Sequence, residues 1–503
     1  MLEMPWKHLK SGTDIRGVAL EGVEGQHVEL TDEIVETIAR SFALWLQKKC
    51  GKKELCVAIG RDSRLSGPRI MAILEKAFVD AGIRVLICGL ASTPAMFMTT
   101  VDLGTDAAVQ ITASHHPWNR NGLKFFRPSG GLEGDDIKEI LTLCQEGKFA
   151  ESAPGGSREE VDYMDTYAKR LQKLISDGVG GGEKPLAGFH VTVDAGNGAG
   201  GFYVSRVLEP LGADCSGSEF LEPDGSFPNH VPNPENKEAM GFACRAVKRA
   251  GADLGIIFDT DVDRAGCVDS TGREINRNRL VALASVIALA GKQGGAVVTD
   301  SITSSGLKVF IEKDLRGKHV RFKRGYKNVI NKAIEMNKEG IDTPLAIETS
   351  GHAALRENYF LDDGAYLATR ILIEAAKLKK EGRDVTELIA TLEEPLESVE
   401  LRFNITEADF RPVGEKILAD LEAYGKANGW AVADDSYEGV RIAFDRENGD
   451  GWFLLRLSVH DPVMPLNLES GIAGGTKVLA AKLASFLEGV AGLDIAPLKE
   501  FLK

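Results

Sequence analysis

One pattern occurs three times along this 503-residue chain and limits its fold more than any other feature. Each copy has a short apolar strand, a Gly/Asp-rich turn, an amphipathic helix and another short strand. The first runs from Leu55–Ile59 through the turn GRDSRLSG (60–67) to Arg84–Ile87. The second starts at Val191–Val193 and turns at DAGNGAGG, and the third starts at Ala296–Val298 and turns at DSITSSG. Strands that alternate with helices this way predict parallel sheets with crossover helices. The copies share architecture and not close sequence, so three similar mixed α/β domains are expected.

The rest of the chain fits that division. At 503 residues the chain is too long for one core, and roughly three or four domains are expected. Glu151–Arg158 and Asp177–Glu183 read as small-residue linkers around a helix at Val161–Ile175. From about Glu397 the character changes. Val399–Phe403 alternates like a half-buried strand, Gly439–Phe444 and Trp452–Leu457 are further strand candidates, and a helix follows at Gly475–Leu487. This predicts a smaller α+β domain at the C-terminal end.

Charge and cysteine content narrow the function. The formal net charge is -14, which argues against a nucleic-acid partner because phosphate backbones select basic faces. A small phosphorylated substrate needs only a local basic cleft. No apolar run is long enough to span a membrane, and the start MLEMPWKHLKSGTD has no apolar signal core. The seven dispersed cysteines contain no CxxC pair, and they predict reduced thiols in a cytoplasmic protein.

Three segments carry candidate chemistry. Thr112–Phe126, TASHHPWNRNGLKFF, follows the end of a predicted buried strand at Gln110-Ile111. It places Ser114 at a strand mouth, where α/β proteins put their reactive groups. Asn121-Gly122 is expected to make a turn before Lys124. The second segment, DTDVDR (259–264), follows Ile256–Phe258. An extended chain there puts Asp259, Asp261 and Asp263 on one side, and clustered carboxylates repel unless a cation holds them. An all-oxygen set favours Mg2+ or Ca2+ over zinc. An EF-hand fits poorly, since Arg264 and Ser270 would stand where Gly and Glu are wanted. The alternatives are a solvated acidic turn and an aspartate-nucleophile phosphatase, which would leave Ser114 unexplained. The third segment, ETSGH (348–352), follows the apolar run Pro344–Ile347. Glu348 and His352 could clamp sugar hydroxyls and move protons, and a helix start capped by Thr349 or Ser350 is the alternative.

Other segments read as supporting structure. In GRDSRLSG, Arg61 and Asp62 are expected to pair and fix the turn. Arg16 in SGTDIRG is either functional or a surface arginine, and PDGSFPNHVPNPE (223–235) reads as a rigid connecting loop.

Together these ordered motifs resemble the α-D-phosphohexomutase family, the phosphoglucomutases and phosphomannomutases, over nearly the whole chain. TASHHP looks like the family's phosphoserine loop, usually TxSHNP, with His116 in place of Asn. DTDVDR looks like its magnesium loop and ETSGH like its sugar-binding loop, while GRDSRLSG, DAGNGAG and PDGSFPNHVPNPE match further structural signatures. The resemblance implies three α/β domains and a smaller α+β domain around one central cleft. The expected boundaries are 1–160 with the phosphoserine loop, 161–275 with the metal loop, 276–395 with the sugar loop and 396–503 with a phosphate-binding loop. It implies interconversion of hexose 1-phosphate and hexose 6-phosphate, of glucose or mannose, through a phosphoserine and a bisphosphorylated sugar. Ser114 would carry the phosphoryl group. Asp259, Asp261, Asp263 and Ser114 would hold Mg2+, with a hexose 1,6-bisphosphate as activator. Arg264, Lys124 and Arg16 would offset phosphoryl charge, with His115 touching the phosphate or shaping its loop. Lys124 and His352 are the acid/base candidates, and Glu348, Ser350 and Lys327 are candidate sugar-phosphate ligands. The implied partners are small hexose phosphates, and the implied protein is a monomer or homodimer.

The C-terminal loop departs from the family pattern. In GWFLLRLSVHDPVMPLNLES (451–470), Arg456, Ser458 and Pro462 match. Val459 and His460 replace Gly or Asn and Thr, and Asn467 stands where one branch has an arginine. Losing a bidentate arginine could cost roughly 1.5–3 kcal/mol of phosphate binding, and His460 is a candidate compensating donor. Two alternatives to a glucose or mannose mutase follow: a phosphoglucosamine mutase, since NGLKFF resembles that branch, and a sugar-phosphate-binding regulatory relative with little turnover.

Overall fold

The computed structural model describes residues 2–52, 54–407, 409–458 and 461–503. They form two compact units. One comprises Met1–Asn276, Ser350–Ala354 and Leu361–Glu387; the other comprises Arg277–Thr349, Leu355–Phe360 and Leu388–Lys503.

The first unit contains two sheets. In the larger one, Ala107–Ile111, Cys56–Arg61, Arg84–Leu90 and Ser157–Glu160 lie side by side and parallel. Arg120–Arg127 adds antiparallel to Ala107–Ile111, and Asp14–Val18 adds antiparallel beyond it. The first repeat is therefore a crossover unit, with helix Gly67–Asp80 between its parallel strands. Every residue of Ala107–Ile111 is buried, as expected for a central strand covered on both faces. On one side, Phe42 of helix Asp32–Cys50 packs 4.5 Å from Phe125 and 5.8 Å from Phe78. Helix Thr93–Asp102, capped by Ser92, is buried along eight of its ten residues, so it lies within the core and not on a surface.

Two sequence expectations differ here. Asn121-Gly122 is not a turn: both residues lie inside strand Arg120–Arg127. A side chain at Gly122 would come within 2.4 Å of the Ile15 carbonyl and 2.9 Å of the Thr112 carbonyl, so the glycine permits close approach of neighbouring backbone. The Glu151–Arg158 linker also supplies Ser157 and Arg158 to the edge strand.

The second sheet has the order Glu274–Ile275, Ala265–Asp269, Leu254–Phe258, Val191–Asp194. The last two strands are parallel. The glycine-rich turn after Val191–Asp194 leads into a short π-helix, Tyr203–Leu208, with i→i+5 bonding, and not a regular α-helix. Pro210 follows at once in the next turn and cannot continue a helical hydrogen-bond ladder.

In the second unit, Lys318–Phe322, Ala296–Asp300 and Leu345–Ile347 form parallel pairs. The C-terminal part of this unit is an antiparallel sheet ordered Glu397–Asn404, Val463–Ser470, Gly451–Leu455, Val440–Phe444, Ala431–Val432. Helix Gly475–Leu487 covers it. Arg441 joins the two parts of the unit. Its guanidinium lies 3.5 Å from the centre of the Trp452 ring and donates to the carbonyls of Ser301 and Thr303 at 2.9 and 3.1 Å. No helix among the described residues is long and apolar enough to cross a membrane.

Candidate active site

Ser114 sits directly after the buried strand Ala107–Ile111, in a left-handed conformation with φ 49°. A non-glycine residue there stores strain that surrounding bonds must hold. Those bonds come from Arg64, which is fully buried. Its Nη2 donates to the carbonyls of Ser114 (2.5 Å) and His116 (2.6 Å), and its Nη1 to those of Pro117 and Arg120, both at 2.8 Å. Asp62 fixes Arg64 in turn, accepting its backbone N–H at 2.9 Å and lying 3.3 Å from its Nε. The other Asp62 contact, from the Thr112 hydroxyl at 2.7 Å, ties the same carboxylate to the serine loop. Burial, only partly offset by Arg64, raises Asp62 to about 6. The expected pairing of Arg61 with Asp62 is thus replaced. Arg61 donates to the Asp62 carbonyl, at 3.0 Å, while Arg64 is the arginine that fixes the loop.

The aspartates converge on Ser114. Its Oγ donates to Asp259 Oδ2 at 3.2 Å and lies 3.2 Å from His115 Nδ1. Asp259, Asp261 and Asp263 each place an oxygen within 4.8 Å of the others, and all three are buried. They converge through a turn and not along an extended strand: Val262 is left-handed at φ 67°, and the Asp259 N–H reaches back to the Arg264 carbonyl at 3.4 Å. Asp261 accepts from the Thr93 hydroxyl, and the Thr93 N–H donates to the Asp261 carbonyl at 2.8 Å. Lys124 donates to Asp263 and lies 3.4 Å from Asp261.

The electrostatics follow from this crowding. Burial, then the charges of Asp263 and Asp261, pushes Asp259 well above the usual carboxylate range. Burial acts the same way on Asp263, but Lys124, His352 and Arg264 overcome it and hold that carboxyl low. Oδ1 of Asp261 and Oδ1 of Asp263 are buried and have no hydrogen-bond partner among the described residues. Buried acceptors left this way, in an all-oxygen set, fit a hard divalent cation.

Cationic and imidazole groups complete the first unit's site. Arg264 Nη2 lies 3.5 Å from Ser114 Oγ and 2.9 Å from His115 Nδ1, and Glu235 is 3.7 Å from Arg264 Nη1. Burial and then Arg264 push His115 down to about 2, while burial and then Arg16 push His116 down to about 3. Both rings are neutral near pH 7, and His115 Nδ1 accepts from Arg264. Arg16 is mostly buried and donates to Asp14 at 2.7 Å, so it is not a solvated surface arginine. His352 Nδ1 is 2.5 Å from Asp362 and 3.9 Å from Asp263. Ser350 is buried beside it in the same unit.

The remaining candidates lie in the second unit. Glu348 is buried and accepts the Gly325 N–H at 2.6 Å. The helix start proposed at Thr349 or Ser350 does not form. Thr349 instead donates its hydroxyl to Asp300 at 2.8 Å, and a short strand begins at Ala353. Lys327 stands in the first turn of helix Tyr326–Lys338. Arg456 is half-buried, and burial lowers its pKa. Ser458 Oγ accepts the Asp461 N–H at 3.3 Å. Asn467 donates to Glu400 at 3.1 Å. His460, like Val459, lies outside the described residues.

Sequence reasoning missed Arg64, Thr93, Asp362 and Glu235. The second arginine of GRDSRLSG was a signal for the first, since an arginine and an acid two residues apart can share a buried turn. Glu235 ends the motif PDGSFPNHVPNPE, whose reading as a connecting loop hid its contact with Arg264; nothing local marks Thr93 and Asp362, which reach the site from distant segments.

Comparison with known proteins agrees with this architecture. Family models described as phosphoglucomutase/phosphomannomutase alpha/beta/alpha domains I, II and III match residues 9–151, 165–272 and 276–395. The chain is 31% identical over 441 residues to a phosphomannomutase/phosphoglucomutase of Pseudomonas putida, covering 86% of this chain and 89% of the relative. It is 29% identical over 471 residues to a phosphoglucomutase of Neisseria gonorrhoeae, covering 93% and 95%. A solved phosphoglucomutase/phosphomannomutase family protein from Burkholderia thailandensis superposes with a TM-score of 0.78 at 26% identity, over 97% of this chain and 98% of that one. With three family domains in order along one chain, this protein belongs to the α-D-phosphohexomutase family of phosphoglucomutases and phosphomannomutases.

Proposed function

We propose that this chain interconverts hexose 1-phosphate and hexose 6-phosphate, of glucose or mannose, through a phosphorylated Ser114. One observation carries the reading: a strained serine hydroxyl stands 3.2 Å from a buried aspartate, within a cluster of three carboxylates, Lys124 and Arg264. Phosphoryl transfer needs mainly alignment and charge neutralisation, and this set of groups has the means for both.

In the proposed cycle a sugar hydroxyl oxygen attacks the phosphorus of phosphoserine. The Ser114 Oγ–P bond breaks, the hydroxyl proton passes to His352 Nε2 while Oγ takes one from Lys124, and a hexose bisphosphate forms. The other phosphate then returns to Ser114 Oγ with the reverse balance of bonds and protons. Arg264 and Arg16 offset phosphoryl charge. Lys124, paired with two aspartates, is assigned to charge neutralisation and proton donation. His352 has Nδ1 against Asp362, which assigns proton exchange to Nε2. Asp259, Asp261, Asp263 and a phosphoserine oxygen are the proposed Mg2+ ligands; when bound, the ion supplies Lewis-acid neutralisation of the phosphoryl group. Glu348, Ser350 and Lys327 are the proposed sugar-phosphate ligands, together with Arg456, Ser458 and His460. A hexose 1,6-bisphosphate would prime the serine. The proposed functional segments are 1–160, 161–275, 276–395 and 396–503, and the seven free thiols support a cytoplasmic setting.

One observation favours a second reading. Asn467 is tied to Glu400 where a phosphate-binding arginine is expected, which supports a shifted sugar phosphate, such as that of glucosamine, or a binding protein with little turnover. Coupled assays with glucose, mannose and glucosamine 1-phosphates in Mg2+ separate these readings. Turnover of glucose or mannose 1-phosphate is expected. Turnover of glucosamine 1-phosphate alone selects the shifted substrate, and no turnover with all three overturns the mutase reading.

A further inference from the structure

The segment 223–235, expected to be a rigid connecting loop, touches both arginines that hold the serine. Gly225 packs against the turn that carries Arg64: a Cβ there would lie 2.4 Å from the Ser63 carbonyl oxygen and 2.6 Å from Arg64 Cα. The Phe227 ring lies against the Arg64 guanidinium, 5.2 Å from its central carbon, within cation–π range. Eight residues on, Glu235 pairs with Arg264 at 3.7 Å. Arg64 holds the Ser114 carbonyl and Arg264 approaches its hydroxyl. One loop therefore backs the serine from two sides.

The loop is itself fixed. Phe227 is left-handed at φ 50°, a conformation that needs external support. The Phe227 N–H donates to the Asp224 carbonyl at 3.0 Å, and buried His230 anchors the loop three residues on. Its Nε2 lies 3.1 Å from both Asp194 oxygens, and its Nδ1 faces the Val231 carbonyl at 3.0 Å. Its ring joins Phe220 and Phe242 in a three-ring cluster, edge-on to Phe220 and tilted against Phe242, with centroids 5.2 and 5.5 Å away. Asn276 donates to the Pro234 carbonyl at 2.9 Å and closes the far end. None of these groups touches the reacting atoms.

We infer that the 223–235 loop positions the reacting serine: Phe227 acts through Arg64 and Glu235 through Arg264, so the loop sets how fast Ser114 accepts a phosphoryl group. Phe227 and Glu235 are positioning residues in this scheme, and the kinetic part rests on the proposed mutase reading. The half-buried setting of Phe227 makes it suitable for substitution.

The test compares the intact protein with Phe227→Ala, Phe227→Leu, Phe227→Tyr and Val247→Ala. Val247 is buried in another core cluster of the same unit and serves as the stability control. Two quantities are read: the rate of Ser114 phosphorylation from glucose 1,6-bisphosphate with Mg2+, and amide hydrogen exchange across residues 113–121. Phe227→Ala should slow phosphorylation at least tenfold and speed exchange in that segment at least tenfold. Phe227→Tyr should stay within threefold of the parent, and Val247→Ala within twofold despite a lower Tm. Parent-like phosphorylation and exchange in Phe227→Ala overturn the inference, as does an equal kinetic loss in Val247→Ala. If Phe227→Ala does not fold, Phe227→Leu is judged by the same criteria. A parent protein that accepts no phosphoryl group sinks the mutase reading instead, and the exchange comparison still decides the role of the loop.

Discussion

Replacing Arg64 by lysine separates geometry from charge at the serine loop. Arg64 makes four hydrogen bonds to carbonyls, at 2.5 to 2.8 Å, from two nitrogens that diverge in a fixed fork. A lysine keeps the positive charge beside Asp62, so the buried carboxylate stays neutralised. Its three donors share one nitrogen and cannot span Ser114, His116, Pro117 and Arg120 together. With about two carbonyls stranded, at roughly 1–3 kcal/mol each, the loop loses about 2–6 kcal/mol of restraint. The left-handed Ser114 conformation itself stores about 1–3 kcal/mol, so a loss of that size is enough to let the serine relax. Misplacement worth about 2.7 kcal/mol in the transition state slows transfer roughly a hundredfold. Arg64→Lys is therefore expected to accept phosphoryl from glucose 1,6-bisphosphate about a hundredfold more slowly in a quenched-flow assay read by intact mass. Mg2+ affinity should stay within about threefold, because the Asp259–Asp263 turn has its own bonds. Phosphorylation at the parent rate would refute the role given to the four-carbonyl clamp.

Three further outcomes are expected. Asp261→Asn should weaken Mg2+ binding at least about tenfold by calorimetry without lowering Tm in metal-free buffer, since it removes one charge from a mutually repelling cluster; unchanged affinity would count against the metal assignment. At His230 burial acts to lower the pKa, but the Asp194 carboxylate outweighs it and the net shift is upward. A raised folded value means a stabilising contribution fully present below the unfolded value of about 6.5 and lost as pH rises through the folded value. His230→Gln should accordingly lower Tm more at pH 6 than at pH 9, and an equal loss at both would disprove the linkage. Arg441→Ala strands the Ser301 and Thr303 carbonyls; at roughly 1–3 kcal/mol each the loss is about 2–6 kcal/mol, visible as a lower Tm, and a Tm within a degree of the parent would contradict it.

Local periodicity makes the strands Cys56–Arg61, Ala107–Ile111 and Leu254–Phe258 legible in the sequence, because their side chains are largely apolar and bounded by turn residues. The helix Gly475–Leu487 agrees with its expected span. Strand Val463–Ser470 escapes notice because Pro465 and Asn467 interrupt its apolar pattern, although it pairs on both sides within its sheet. At the site, Ser114 and the three aspartates are readable as motifs, but the way they meet is not. The aspartates gather through a left-handed Val262, and Asn121-Gly122 runs straight through a strand because Gly122 allows close approach. Both depend on backbone contacts from remote segments. Arg64 illustrates the same limit: its four acceptors lie about fifty residues away, and no local spacing announces them.

The central claim is that Ser114 carries a phosphoryl group between sugar oxygens, and mass analysis after exposure to glucose 1,6-bisphosphate and Mg2+ tests it most directly. The account predicts one added phosphate, located on Ser114, that is discharged by hexose monophosphate to give the bisphosphate, and none on Ser114→Ala. An unphosphorylated Ser114 in a protein that still interconverts hexose phosphates would contradict it.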